Sequence, residues 1–243
     1  MQLLDGYCLD LTSYSGPIVE PELAAIVYRL TCRTHFESPG FALLDLGLDC
    51  DSQTLRRWMV QLKDRLSELH QSQFNDSIVA VWLGRFSQQI TTKFHLDGGP
   101  QASLLMLGYE PTTVLSQIRL ADVSRCAADR QLTPQEFLDL HNPMFSAGEQ
   151  LLQPYVTEIT RANSSHFHIL LVNNSSQSLT DHAPGWQGVL HQAIMMQPQS
   201  DARRVVNSML LTVGDPASDA LTSAIRQDYL TTDQLNQRMQ PQR

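Results

Sequence analysis

Residues 77–97 read SIVAVWLGRFSQQITTKFHLD, and they decide how the rest of the chain is read. SIVAVWLGRF (77–86) mixes β-branched and aromatic residues, which suit a pleated, half-buried surface. QITTKFHLD (89–97) is predicted as a second strand, stopped by Gly98-Gly99-Pro100. Further along, SLLMLGY (103–109) and SQIRLADV (116–123) flank a turn at Glu110-Pro111. YVTEITR (155–161), HFHILLVNN (166–174), GVLHQAIMM (188–196) and RRVVNSMLLTV (203–213) continue the series. A helix intervenes at Thr133-Pro134-Gln135-Glu136, where an N-cap, a first-turn proline and a capping-box glutamate coincide, and it is expected to run to Leu140. Many short strands with helices at both ends fit an antiparallel sandwich or jelly roll better than an alternating βαβ sheet.

Outward from that core, Glu20-Pro21 opens PELAAIVYRLTCRTHF, with apolar residues at helical spacing. Ser38-Pro39-Gly40 breaks the chain, and FALLDLGL (41–48) is predicted as a strand. Asp51 or Ser52 can cap the next helix, whose inner face is Leu55, Trp58, Met59, Leu62, Leu66 and Leu69. SDALTSAIRQDYL is a closing helix, and the glutamine-rich QLNQRMQPQR is expected to fray. The expected organisation is one domain over 1–243: a helical N-terminal region (1–75), a jelly-roll core (77–213), and a C-terminal helix and tail (214–243).

With 243 residues, 42% hydrophobic and 17% charged, the composition is that of a globular chain. The net charge of −8 argues against a nucleic-acid partner and leaves room for a cationic small-molecule substrate. Cys8, Cys32, Cys50 and Cys126 form no Cys-x-x-Cys unit and are read as buried thiols. With no signal-peptide pattern and no long apolar span, the expected location is cytoplasmic, with no membrane partner. Phosphate-loop, dinucleotide, nucleophile-elbow and zinc-protease motifs are absent.

The chemistry concentrates in FHLDGGP (94–100). On a strand, positions i and i+2 share a face, so His95 and Asp97 can grip one ion at the rim marked by Gly98-Gly99. His191, in GVLHQAI, offers a third ligand. Two histidines and one carboxylate on one side of iron(II) leave positions for a 2-oxo acid and dioxygen. The far carboxylate of 2-oxoglutarate calls for a guanidinium. Arg203 and Arg204 open the strand after His191, and alternation lets only one face inward. Arg204 is favoured because Ser208, a second donor, shares its face. The bland alternative makes His95 and His191 ordinary sheet histidines, with Asp97 starting a turn. His166 and His168 share a face too, but no glutamate follows them, so they are read as structural or surface histidines. His182 is read as a loop residue. Trp82, Trp186, Tyr109 and Phe94 are candidates for pocket walls, with core packing as the default. No substrate-binding residue can be singled out.

His-x-Asp, a distal histidine on a later strand and an arginine opening the next resemble the Fe(II)/2-oxoglutarate-dependent dioxygenase superfamily, over residues 77–213. The resemblance implies a double-stranded β-helix and iron(II) on His95, Asp97 and His191. It further implies 2-oxoglutarate and O2 as cosubstrates, with release of succinate and CO2. The implied reaction is hydroxylation, desaturation or ring closure at a C–H position of a small polar metabolite, as in natural-product tailoring oxygenases. Halogenating relatives carry Gly or Ala where this chain keeps Asp97, so the resemblance implies oxygen transfer or desaturation. Two readings compete: a cupin-like metal enzyme that does without 2-oxoglutarate, and a non-catalytic jelly-roll ligand-binding protein.

Overall fold

The computed structural model describes residues 2–13, 18–159, 164–176 and 185–240. Strands β1 (Gln2–Leu4), β2 (Cys8–Asp10) and β3 (Phe41–Gly47) alternate with helices α1 (Pro21–Thr31) and α2 (Ser52–Phe74). Next come β4 (Ser77–Ser87), β5 (Ser103–Tyr109) and β6 (Leu115–Ala121), then α3 (Val123–Ala128), α4 (Pro134–Leu140) and α5 (Ser146–Leu152). β7 (Val156–Ile159), β8 (Phe167–Asn173), β9 (Leu190–Gln197), β10 (Val205–Gly214), α6 (Ser223–Thr231) and β11 (Gln237–Met239) complete the chain. The predicted strand over 155–161 and the loop carrying His182 extend beyond the described residues.

The strands form an eight-stranded sheet, β1-β2-β3-β8-β5-β10-β4-β11, and a three-stranded sheet, β7-β6-β9. One face of the large sheet gives Leu105, Leu107, Leu170, Val172, Val206 and Leu210 to a cluster that also holds Ile118, Leu120 and Ile159 of the small sheet. The other face gives Leu104, Met106, Ile169, Leu171 and Leu211 to a cluster with Leu55, Trp58, Met59 and Leu66 of α2 and Tyr229 of α6. Burial on both faces explains why β5 and β8 read as the near-continuous apolar runs LLML and ILLV. Removing a leucine from either cluster is expected to cost about 2–5 kcal/mol. No helix among the described residues is long and apolar enough to cross a membrane.

Local chemistry explains the helix ends. Asp51 accepts from the Thr54 amide, and α2 ends at Asn75, whose φ of 61° is left-handed. At α4 the Thr133–Glu136 capping box forms as expected.

Two expectations are corrected. Residues 89–97 do not form a ladder strand: among them only an isolated bridge, His95 to His191, is present. Threonine hydroxyls replace the carbonyl acceptors, since Ala193 N donates to Thr92 Oγ1 at 3.0 Å and Met195 N to Thr91 Oγ1 at 3.0 Å. The glutamine-rich end does not fray throughout, because β11 pairs antiparallel with β4 and buries Met239. Within residues 1–75, α1 and α2 stand beside three strands, β1, β2 and β3, all of which join the large sheet. The β1–β2 hairpin turns on Asp5-Gly6, both with positive φ, a pairing that suits a tight hairpin.

His70 of α2 is buried against Phe74 and Trp186, with ring centroids 4.9 and 5.6 Å away, and shares a 2.7 Å hydrogen bond through Nδ1 with the Tyr28 hydroxyl. Burial pushes its pKa below the ordinary value, so the fold prefers the neutral ring. The unfolded chain then binds the proton first as pH falls, and this stabilisation is lost below about pH 6.5 toward the depressed folded value. The melting temperature is expected to fall between about pH 7.5 and 5.5, with a shallower fall in His70→Gln. An unchanged slope in that variant would remove His70 as a cause.

Candidate metal centre

The site grows from the His95–His191 bridge, in which each backbone amide donates to the other residue's carbonyl at 3.1 Å. That pairing sets the two imidazoles side by side, centroids 4.2 Å apart. Two residues on, the Asp97 backbone is clamped by Asn174 at the end of β8. The Asp97 amide donates to Asn174 Oδ1, and Asn174 Nδ2 donates to the Asp97 carbonyl, both at 2.9 Å. Asn174 is buried and also donates to Ser103 Oγ at 3.0 Å. The Asp97 carboxylate then lies 3.5 Å from His95 Nε2 and 3.8 Å from His191 Nε2. One donor atom from each of the three residues falls within 4.8 Å of the others.

The protonation states suit a cation. His95 Nδ1 lies 2.7 Å from the Lys93 carbonyl, which fixes the proton there and leaves the Nε2 lone pair toward Asp97. Burial, together with the neighbouring His95, pushes His191 down to about 4, so it is neutral at physiological pH. Burial works against the Asp97 charge, but the facing His95 and His191 rings, which favour the carboxylate when they take up a proton, and Arg238 outweigh it and hold the carboxyl below its ordinary value. The Asp97 carboxylate beside Nε2 favours a protonated His95 ring and raises its pKa, so protons compete with a metal there, and metal affinity is expected to fall as pH drops. Cis ligands at about 2.1 Å from a metal sit about 3 Å apart, so a modest inward closure brings the set to bonding geometry. Two imidazoles and a carboxylate fit an octahedral ion with one face open.

The open side meets a cavity of about 280 Å³ walled by Trp82, Phe86, Tyr109, Arg204, Ser208 and Arg238. Arg204 is buried; its Nε donates to Ser116 Oγ at 3.1 Å, and its guanidinium lies 5.1 Å from the centre of the Tyr109 ring. Among the described residues no carboxylate pairs with it, although a buried unpaired cation is costly. Arg203 is exposed and meets Thr112 Oγ1 only through its carbonyl, at 2.8 Å. Trp186 and Phe94 are core residues, while Trp82 and Tyr109 reach the cavity. Sequence reasoning missed Asn174 and Ser116, which support the site. It also missed Arg238, which stands over the Trp82 ring at 4.3 Å from a tail expected to fray.

The approach to β9 is tight. A Cβ on Gly188 would stand 1.8 Å from the Ser175 carbonyl oxygen, a backbone atom that cannot rotate away. Gly188→Ala is therefore expected to destabilise by about 1–3 kcal/mol or more. Because His191 follows on β9, it is also expected to weaken metal binding. An unchanged melting temperature would contradict this close approach.

No protein-family model and no curated protein matches the sequence. Solved structures with similar folds include a taurine dioxygenase from Burkholderia xenovorans, at 8% identity and TM-score 0.47, over 87% of this chain and 89% of that one. Another is an asparagine oxygenase, at 11% identity and TM-score 0.46, over 84% of this chain and 82% of that one. A third is the non-heme iron oxygenase OrfP in complex with Fe, succinate and (3R,4R)-dihydroxy-L-Arg, at 13% identity and TM-score 0.44, over 91% of this chain and 88% of that one. At identities and TM-scores this low, the functional reading rests on the side chains of the site itself.

Proposed function

We propose that this chain is an iron(II)- and 2-oxoglutarate-dependent oxygenase acting on a C–H position of a small polar molecule. One observation carries the reading: His95, Asp97 and His191 converge beside a cavity whose wall holds the buried Arg204, which has no acid partner among the described residues. We read the two sheets as a double-stranded β-helix. β4, β10, β5 and β8 are neighbours in one sheet, and the segment ending at His95 adjoins β9 at the edge of the β7-β6-β9 sheet. We further read residues 1–243 as one domain, with β1–β3 extending the large sheet.

In this reading His95, Asp97 and His191 hold iron(II). When bound, the metal would supply dioxygen activation coupled to decarboxylation of 2-oxoglutarate to succinate and CO2, and oxidation of the substrate. The protein's own residues do the rest. The Lys93 carbonyl keeps the His95 proton off Nε2. Arg204 pairs with the distal carboxylate of 2-oxoglutarate, with Ser208 as a further donor on the same wall. Tyr109, under the guanidinium, and Ser116, bonded to its Nε, keep that fork aimed. Trp82 and Phe86 exclude water from the reacting end.

Hydroxylation, desaturation and ring closure would use the same residues. The cavity bears on substrate charge. Among the described residues Asp97 is its only carboxylate, whereas Arg204 and Arg238 both line it. That favours a substrate with an anionic group over the cationic metabolite suggested by the net charge of −8. A cupin-like enzyme without 2-oxoglutarate would leave Arg204 with no anion, and a non-catalytic binding protein would leave the ligand set without a purpose. The test is substrate-free turnover in air: succinate is expected from the protein with iron(II) and 2-oxoglutarate, and none when either is omitted. No succinate under any condition would overturn the reading.

A further inference from the structure

A second group of metal-ligating side chains shares no residue with the first. We propose that Asp45, His166 and His168 form a separate binding site for a zinc-class divalent cation. Asp45 on β3 and His168 on β8 are direct partners across the antiparallel pair. His166 stands two residues before His168, so the two imidazoles project to the same side, with rings 6.0 Å apart and inclined by only 22°. The Asp45 carboxylate lies 2.8 Å from His166 Nδ1 and 3.7 Å from His168 Nε2, and donor atoms of all three residues fall within 4.8 Å. The sequence alone hides this group, because its carboxylate comes from a strand far from the histidine pair.

An ordinary Asp–His hydrogen bond accounts for Asp45 and His166 but not for His168. His168 is buried, and its Nε2 has no hydrogen-bond partner among the described residues. Such an atom costs free energy unless something occupies its lone pair or takes its proton. A cation between Nε2 and the Asp45 carboxylate removes that cost. Tetrahedral zinc with ligands at about 2.0–2.1 Å holds neighbouring donors about 3.3 Å apart. The separations of 2.8 and 3.7 Å bracket that value. The Gly47 amide donates to Asp45 Oδ1 at 2.9 Å, and this outer bond fixes the carboxylate's orientation. Asp45 and His166 are only partly buried, which leaves a way in for the ion and room for a water as fourth ligand. His166 and His168 border a small recess that shares Tyr109 and Arg204 with the larger cavity, yet the two ligand sets have no residue in common.

Cobalt(II) is the probe, added to the metal-free full chain and followed by its visible d–d bands and by equilibrium dialysis. The expected result is two bound equivalents in the unaltered protein. One should survive in the Asp97→Ala/His191→Ala double variant, then vanish when Asp45→Asn or His166→Gln is added. His166→Gln, at the more exposed ligand, serves if Asp45→Asn does not fold. No cobalt on the double variant, or an equivalent that persists after both added substitutions, would overturn the proposal. The oxygenase reading fails separately, if the unaltered protein binds a single equivalent that the double variant keeps.

Discussion

Asp97→Ala is expected to leave a folded protein that no longer holds iron(II) and forms no succinate. The backbone at this position is held by main-chain bonds to Asn174, and alanine keeps them both. What disappears is the only carboxylate of the set and the negative charge that raises His95. Two neutral imidazoles side by side then face a divalent ion alone. Changes in groups outside the ligand shell typically cost 10–100-fold in metal affinity, so loss of a ligand is expected to cost more than about 100-fold. Iron(II) binding by dialysis and succinate release measure the two effects, and a thermal melt confirms folding. Retention of unaltered affinity and turnover would remove Asp97 from the metal site.

The second large effect is expected at Arg204. Arg204→Ala should raise the half-saturating 2-oxoglutarate concentration roughly 30-fold or more, the consequence of about 2 kcal/mol or more for truncating one partner of a buried charge pair. Arg203→Ala should change it by less than about twofold, since loss of a solvent-facing charge contributes little. Neither variant removes a metal ligand, so iron(II) affinity should hold in both. Arg204→Lys should recover only part of the loss, because an ammonium cannot reproduce the planar fork or the bond from Nε to Ser116. The pattern is read from saturation curves for each variant. A large effect in Arg203→Ala with none in Arg204→Ala would reverse the assignment.

The placement of several candidate site residues was legible in advance. The spacing of His95 and Asp97 anticipated one ligand group, although these residues lie outside any ladder strand, and alternation separated Arg203 from Arg204, of which Arg204 is buried and Arg203 exposed. β5 and β8 were legible because sheets covered on both faces leave long apolar runs. What stayed hidden depends on contacts between distant parts of the chain. Asp45 joins His168 only because β3 pairs with β8. Asn174 supports Asp97 from the end of another strand. β11 sits in a polar segment whose one apolar anchor, Met239, gives no periodicity to read. The segment before His95 looked like a strand by composition, but its threonine hydroxyls took ladder donors that backbone carbonyls would otherwise accept.

On the proposed reading, one chain binds iron(II) through His95, Asp97 and His191 and holds 2-oxoglutarate on it. The most direct measurement adds iron(II) and 2-oxoglutarate to the metal-free protein without oxygen and records the visible spectrum. A weak charge-transfer band in the unaltered protein, absent in His191→Ala, is the expected result. Iron binding with no band, or a band that persists in His191→Ala, would contradict the account.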